Sequence, residues 1–147
     1  MRKKVMMALT MLSLIVTLAV TSANAQSGAH FMRIVIPFEF IIKGETLPPG
    51  VYIVKRASSE KPEMLLLSST DGASRVYILT NSLRAKTRPS GSKLVFQQYG
   101  DQYFLSQVWE AGENEGRQLF KSPGEHTARE LAKDTRKHQT VTLVGQK

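Results

Sequence analysis

The sequence predicts a mostly β protein: a single-domain antiparallel barrel or sandwich of about 7–8 strands with one short C-terminal helix. Three observations carry this reading. Apolar residues alternate at period two along most of the chain, turn signals punctuate the runs at regular spacing, and helical periodicity enters only in the last quarter.

The N-terminus is read separately from the domain. Arg2, Lys3 and Lys4 precede Val5–Val20, an uncharged stretch of 16 residues, and Ala23 and Ala25 then stand at the small-residue positions before Gln26. This order is that of a Sec-type signal peptide, with cleavage expected at Ala25–Gln26 and a periplasmic or secreted product. The apolar run is short of the roughly 20 residues that cross a bilayer, so no transmembrane segment is expected after cleavage. The expected organisation is residues 1–25 as signal peptide, 26–32 as a flexible N-terminal segment, and 33–147 as the β-rich domain.

The three cations of the signal leave 17 basic and 12 acidic residues in the mature chain, a net charge of +5. That charge favours solubility and loose attraction to anionic surfaces. The chain has no cysteine, which excludes disulfides, thiol chemistry, thiolate metal sites and a lipid anchor through Cys.

The first strand is expected where Ile34, Ile36, Phe38, Phe40 and Ile42 alternate, with an edge, bulge or kink at Pro37, which cannot donate to a ladder. Gly44–Gly50, holding Pro48 and Pro49, reads as a rigid connection, and Val51–Lys55 as the returning strand. Asp71-Gly72 suits a two-residue type I′ turn. It pairs Leu67 with Val76, Leu65 with Ile78, Leu66 with Tyr77 and Met64 with Leu79. Both faces of that hairpin are apolar, so cover on two sides is expected. Gly100-Asp101 suits a type II′ turn. It pairs Gln98 with Tyr103, Phe96 with Leu105 and Leu94 with Gln107, and puts Leu94, Phe96, Tyr103, Leu105 and Trp109 on the core face.

A short strand, Arg117–Phe120, follows the Gly- and Glu-rich turn 111–116. Ser122-Pro123-Gly124-Glu125 then fits a capping box that opens a helix over about 123–133, with Thr127, Ala128, Leu131 and Ala132 as its apolar stripe. A last strand covers Thr140–Val144. Consecutive hairpins favour the barrel over the sandwich.

The run Val35-x-Pro37-Phe38-x-Phe40, with Gly44, Leu47-Pro48-x-Gly50-x-Tyr52-x-Val54, resembles the opening of a family of small exported bacterial β-proteins without an assigned activity. Leu94-Val95-Phe96-x-x-Tyr99-Gly100-Asp101-x-Tyr103-Phe104-Leu105-Ser106-x-Val108-Trp109 continues the resemblance, which extends through the helix to residue 131. Its motifs are glycines, prolines and aromatics at turns and faces, so it implies a fold and no catalytic residue. The Thr140–Val144 segment lies outside it.

No nucleophile elbow, Walker A loop or dinucleotide fingerprint is present, so no catalytic residue and no cofactor is expected. His30 falls in the N-terminal segment. His126 and Glu130 share a helical face, and His138 would have to fold back to join them. Two ligands make a poor site, so no metal is expected. Glu39 and Glu110 lie opposite the apolar faces, where a charge meets solvent rather than a substrate.

Two candidate binding sets remain. Arg84, Lys86 and Arg88, if extended, point one way and could hold an anion, although no aromatic platform for nucleic acid is interleaved with them. Tyr77, Tyr103 and Trp109, with Tyr99 nearby, could line a ligand pocket in a barrel mouth. The expected function is a non-enzymatic structural or binding module in the cell envelope or exterior. Its partner would be an apolar ligand, an envelope glycan or a protein on a strand edge, not nucleic acid. The competing expectation is a hydrolase- or isomerase-like enzyme with its site inside the barrel. An interior filled with Leu, Phe and Ile would favour the first, and a pocket lined by Glu, His or Arg the second.

Overall fold

Pro37 divides the first apolar run in two. In the structure, a computed structural model that describes residues 31–146, β1 (Phe31–Ile36) ends before it and β2 (Phe40–Ile42) begins after it. The signal-peptide residues, among them Ala23, Ala25 and Gln26, and also His30 lie outside the described residues.

Lys43 and Gly44 both adopt positive φ (53° and 86°), the geometry of a type I′ turn. They fold β2 back onto β3 (Glu45–Leu47), where the sequence reading has only a rigid connection. With these two additions the strand count rises to ten rather than seven or eight. The remaining strands are β4 (Gly50–Arg56), β5 (Met64–Ser69), β6 (Arg75–Arg84), β7 (Lys93–Tyr99), β8 (Gln102–Trp109), β9 (Glu115–Leu119) and β10 (His138–Val144). The one helix among the described residues, α1 (Pro123–Thr135), stands before β10.

The strands form one sheet in the order β1-β4-β5-β6-β9-β8-β2-β3, with β7 on the other edge of β8 and β10 beyond it. Folded over itself, this sheet makes a sandwich-like mostly β domain. It does not close into a barrel, which corrects the expectation drawn from consecutive hairpins. Just past the end of β10, Gln146 forms an isolated bridge with Arg33 of β1, the two exchanging backbone hydrogen bonds of 3.0 and 2.7 Å. Among the described residues no ladder joins β1 to β10.

The inner face is packed with Ile34, Ile36, Ile42, Leu67, Ile78 and Leu94 around an aromatic cluster. Phe40 meets Tyr52 and Phe96 edge to face at 5.1 and 5.7 Å between centroids, a preferred arrangement of ring quadrupoles. Tyr52 also donates its hydroxyl to the Pro48 carbonyl at 2.7 Å.

The β5–β6 register agrees with the sequence reading at all four pairs, although the turn differs. Only Gly72 has positive φ (77°), and the Ser69 amide donates to the Ser74 carbonyl, so the loop holds four residues rather than two. A four-residue loop centred on the same bond keeps the same register. The Asp71 carboxylate accepts from the Ala73 amide within it. Cover on both faces does not follow: Leu66 is buried, but Tyr77 and Leu79 are each 51% exposed.

The β7–β8 hairpin turns at Gly100 (φ 65°) and keeps the expected pairs Gln98–Tyr103 and Phe96–Leu105. A bulge then inserts Ser106. Leu94 faces Val108 rather than Gln107, and Val95 faces Gln107. One extra residue exchanges every side chain beyond it between faces. Val108 therefore joins the core, and Trp109, expected inside, is turned to the outer face.

The outer face of β7 and β8 is covered by α1. Tyr99, Phe104, Ala128 and Ala132 form a second apolar cluster with Ile41. Leu131, expected in the buried stripe, is 66% exposed, because the helix buries positions 125, 128 and 132 instead. Ser122 accepts from the Glu125 amide at 3.2 Å as the N-cap, with Pro123 in the first turn. The reciprocal half of the capping box is not made, because the Glu125 side chain turns inward and is buried.

Candidate functional site

One end of the sandwich is not filled. There a cavity of about 80 Å³ lies over a floor of Met32, Val54, Leu65 and Val108. Its rim is charged: Lys55 and Arg56 from the end of β4, Glu110 and Glu113 from the β8–β9 turn, and Glu115 and Arg117 from β9.

Strand pairing explains the rim. Thr80 on β6 faces Leu119 on β9, both buried, so two residues further along, Ser82 and Arg117 share the inward face, and Arg84 and Glu115 follow. Arg117 lies opposite Val108 on β8, at the edge of the apolar core. Its guanidinium pairs with Glu115 at 3.0 Å, and the Ser82 hydroxyl donates to the same carboxylate at 2.7 Å. The Ser82 bond, and then the Arg117 charge, hold the Glu115 carboxyl below the usual range. Across the mouth, Arg56 approaches Glu110 at 3.5 Å.

Glu110 therefore stands at a cavity, not on the solvated face where the alternation of β8 put it. The Ser106 bulge that turns Trp109 outward brings the next residue to the mouth. The Glu113, Glu115 and Arg117 positions were read only as turn and short strand. The sequence signal for them is two i, i+2 pairs, Ser82-x-Arg84 and Glu115-x-Arg117, which become one site only through the long-range β6–β9 pairing.

The sequence-derived sets are dispersed. Tyr103 packs inside, its ring stacked on Phe38 at 4.0 Å. Tyr77 sits on the outer face of β6. Trp109 lies over Gly116, where a Cβ would come within 2.5 Å of the ring, and its indole donates to Gln107 at 2.9 Å. The structure does not bring these three rings to one pocket. Of the basic run, Arg84 ends β6 near Glu115, and the chain bends at Lys86 and Thr87, so no extended segment aligns it with Lys86 and Arg88.

His126 is exposed, Glu130 pairs with Lys133 at 2.8 Å, and His138 stacks on Tyr99 at 4.8 Å and bonds Gln97. Among the described residues, no group of three His, Asp or Glu side chains could hold a metal ion. No helix among them is long and apolar enough to cross a membrane. Compared with protein-family models, curated proteins and solved structures, the chain matches none.

Proposed function

We propose that this chain is a small exported β-domain of the periplasm or cell exterior, acting as a non-enzymatic binding module. Its cavity would take the apolar end of a small amphiphile. The observation that carries this reading is an apolar floor (Met32, Val54, Leu65, Val108) ringed by Arg56, Arg117, Glu110 and Glu115 at an unfilled end of the core. Such a site shelters a few carbon atoms and offers exchangeable ion pairs to a polar head. The resemblance to small exported bacterial β-proteins and the Sec-type N-terminus support the compartment.

The competing enzyme is disfavoured by the state of the carboxylates. Glu115, half exposed, is held ionised by Ser82 and Arg117 and makes a poor general acid. The rest of the interior is filled with Ile, Phe and Leu.

The test is a titration with hexanol and hexanoate, followed through the methyl resonances of Met32, Leu65 and Val108. Saturable shifts confined to these groups are expected, weakened by Arg117→Met for the carboxylate. Resonances that do not move with either probe would reject the binding site. Export is checked by intact mass of protein from an expressing bacterium, with a mature chain starting at Gln26 expected. A membrane-held form retaining residues 1–25 would reject soluble export.

A further inference from the structure

We propose that the outer face of β1–β4–β5–β6 docks on an anionic lipid bilayer. Of the residues on this face only Lys55 also borders the cavity, which opens at the end of the sandwich.

Register brings two kinds of side chain to this face. Arg33 lies opposite Ile53, Val35 opposite Val51, Lys55 opposite Leu66, and Leu66 opposite Tyr77. The outward positions are therefore 33, 35, 51, 53, 55, 64, 66, 68, 75, 77 and 79. Not one of these residues is Asp or Glu.

Val35, Tyr77 and Leu79 are the large apolar side chains that stand out from it, at 63%, 51% and 51% exposure. Arg33, Lys55 and Arg75 stand among them, all exposed. Lys43 reaches the edge of the face, where it donates to the Tyr77 carbonyl at 3.3 Å. None of these four cations takes part in an ion pair among the described residues, whose three pairs are Arg56–Glu110, Arg117–Glu115 and Lys133–Glu130.

The charge is thus segregated. Carboxylates gather at the cavity mouth, on β3, on loops and on the helix, while this sheet face carries cations, apolar groups and Ser68. The single helix among the described residues packs on β7 and β10 and leaves the face uncovered. The face is open and carries no carboxylate. It suits a planar anionic surface, with tyrosine and aliphatic side chains entering the head-group layer and lysine and arginine meeting lipid phosphates.

Each such cation raises partitioning onto an anionic membrane about fivefold. The test is co-sedimentation of the full chain with vesicles of phosphatidylcholine alone or with about one-third phosphatidylglycerol. Binding at least about tenfold stronger to the anionic vesicles is expected, with a loss of about tenfold or more in the Lys55→Glu/Arg75→Glu variant. Tyr77→Ser/Leu79→Ser should also weaken it.

All these proteins keep the apolar N-terminal stretch, so binding through that stretch would be unchanged by the substitutions and would overturn the proposal. So would equal binding to both vesicles, or capture by soluble polyglutamate with no vesicle binding, which would assign the face to an acidic protein. Circular dichroism checks folding. If charge reversal unfolds the domain, Lys55→Gln/Arg75→Gln gives the same reading, and unchanged vesicle binding by that variant would overturn the proposal.

Discussion

Glu125 is the residue whose setting is least ordinary. Only 4% exposed between α1 and the sheet, its carboxyl has one oxygen with no hydrogen-bond partner. Burial raises its pKa above the ordinary carboxylate value, while Lys121, His126 and Arg129 pull it down, and the Tyr99 hydroxyl on β7, whose pKa is also raised mainly by burial, feels its charge. An acid raised in the folded state holds its proton more firmly there than in the unfolded chain. Its contribution to stability is full below the ordinary carboxylate value and is lost as pH rises through the folded one. Glu125→Gln should therefore melt higher than the parent at neutral pH, and that advantage should disappear below about pH 4. Coincident melting curves at both pH values would mean that water reaches the carboxyl. Glu115 works in the opposite sense: its lowered carboxyl favours the fold at neutral pH, and the benefit goes as pH falls through the lowered value.

The elements differ in how far local chemistry specified them. The N-cap of α1 was specified locally, because Ser122, Pro123 and the Glu125 amide lie within four residues of one another, although the Glu125 side chain does not return the bond. Ser122→Ala should cost about 0.5–2 kcal/mol in chemical denaturation, and an unchanged midpoint would show that the cap contributes nothing. The β5–β6 register was equally legible, because apolar alternation on both strands fixes it whichever turn is used. The β2–β3 hairpin was missed because Lys rather than Asn or Asp precedes Gly44, and because the prolines beyond Leu47 suggested a stiff linker. The Ser106 bulge was invisible for a different reason. Nothing in Leu105-Ser106-Gln107 marks an extra residue, and the choice is made by the packing of Val108 against a core drawn from distant strands. The cavity depends on that bulge and on β6–β9 pairing, so of its charged rim the sequence offered only Glu110, on the wrong face.

On the scale of the whole domain, the seam between β1 and β10 is a weak line. Arg33 and Gln146 are bonded across it, and two residues further from this bridge on each strand stand Val35 and Val144, both largely exposed and without a ladder between them. The backbone of Val35 points to the seam, while those of Ile34 and Ile36 point to β4. Amide exchange should therefore be fast at Val35 and slow at its two neighbours. Uniform protection across residues 34–36 would mean that the seam is paired in solution. The bulge in β8 has a consequence on this scale too. Side chains along a strand form a wave of period two, and Ser106 is a half-cycle step in it. Swapping its identity leaves the wave intact, and deleting it would remove the extra residue while leaving Val108 inward and Trp109 outward. A strand that kept Ser106 in regular alternation would instead send Trp109 into the core and Glu110 away from the mouth. The location of the cavity thus depends on that half-cycle step, and an added residue that is not absorbed as a bulge should be far less tolerated than substitution or loss of Ser106.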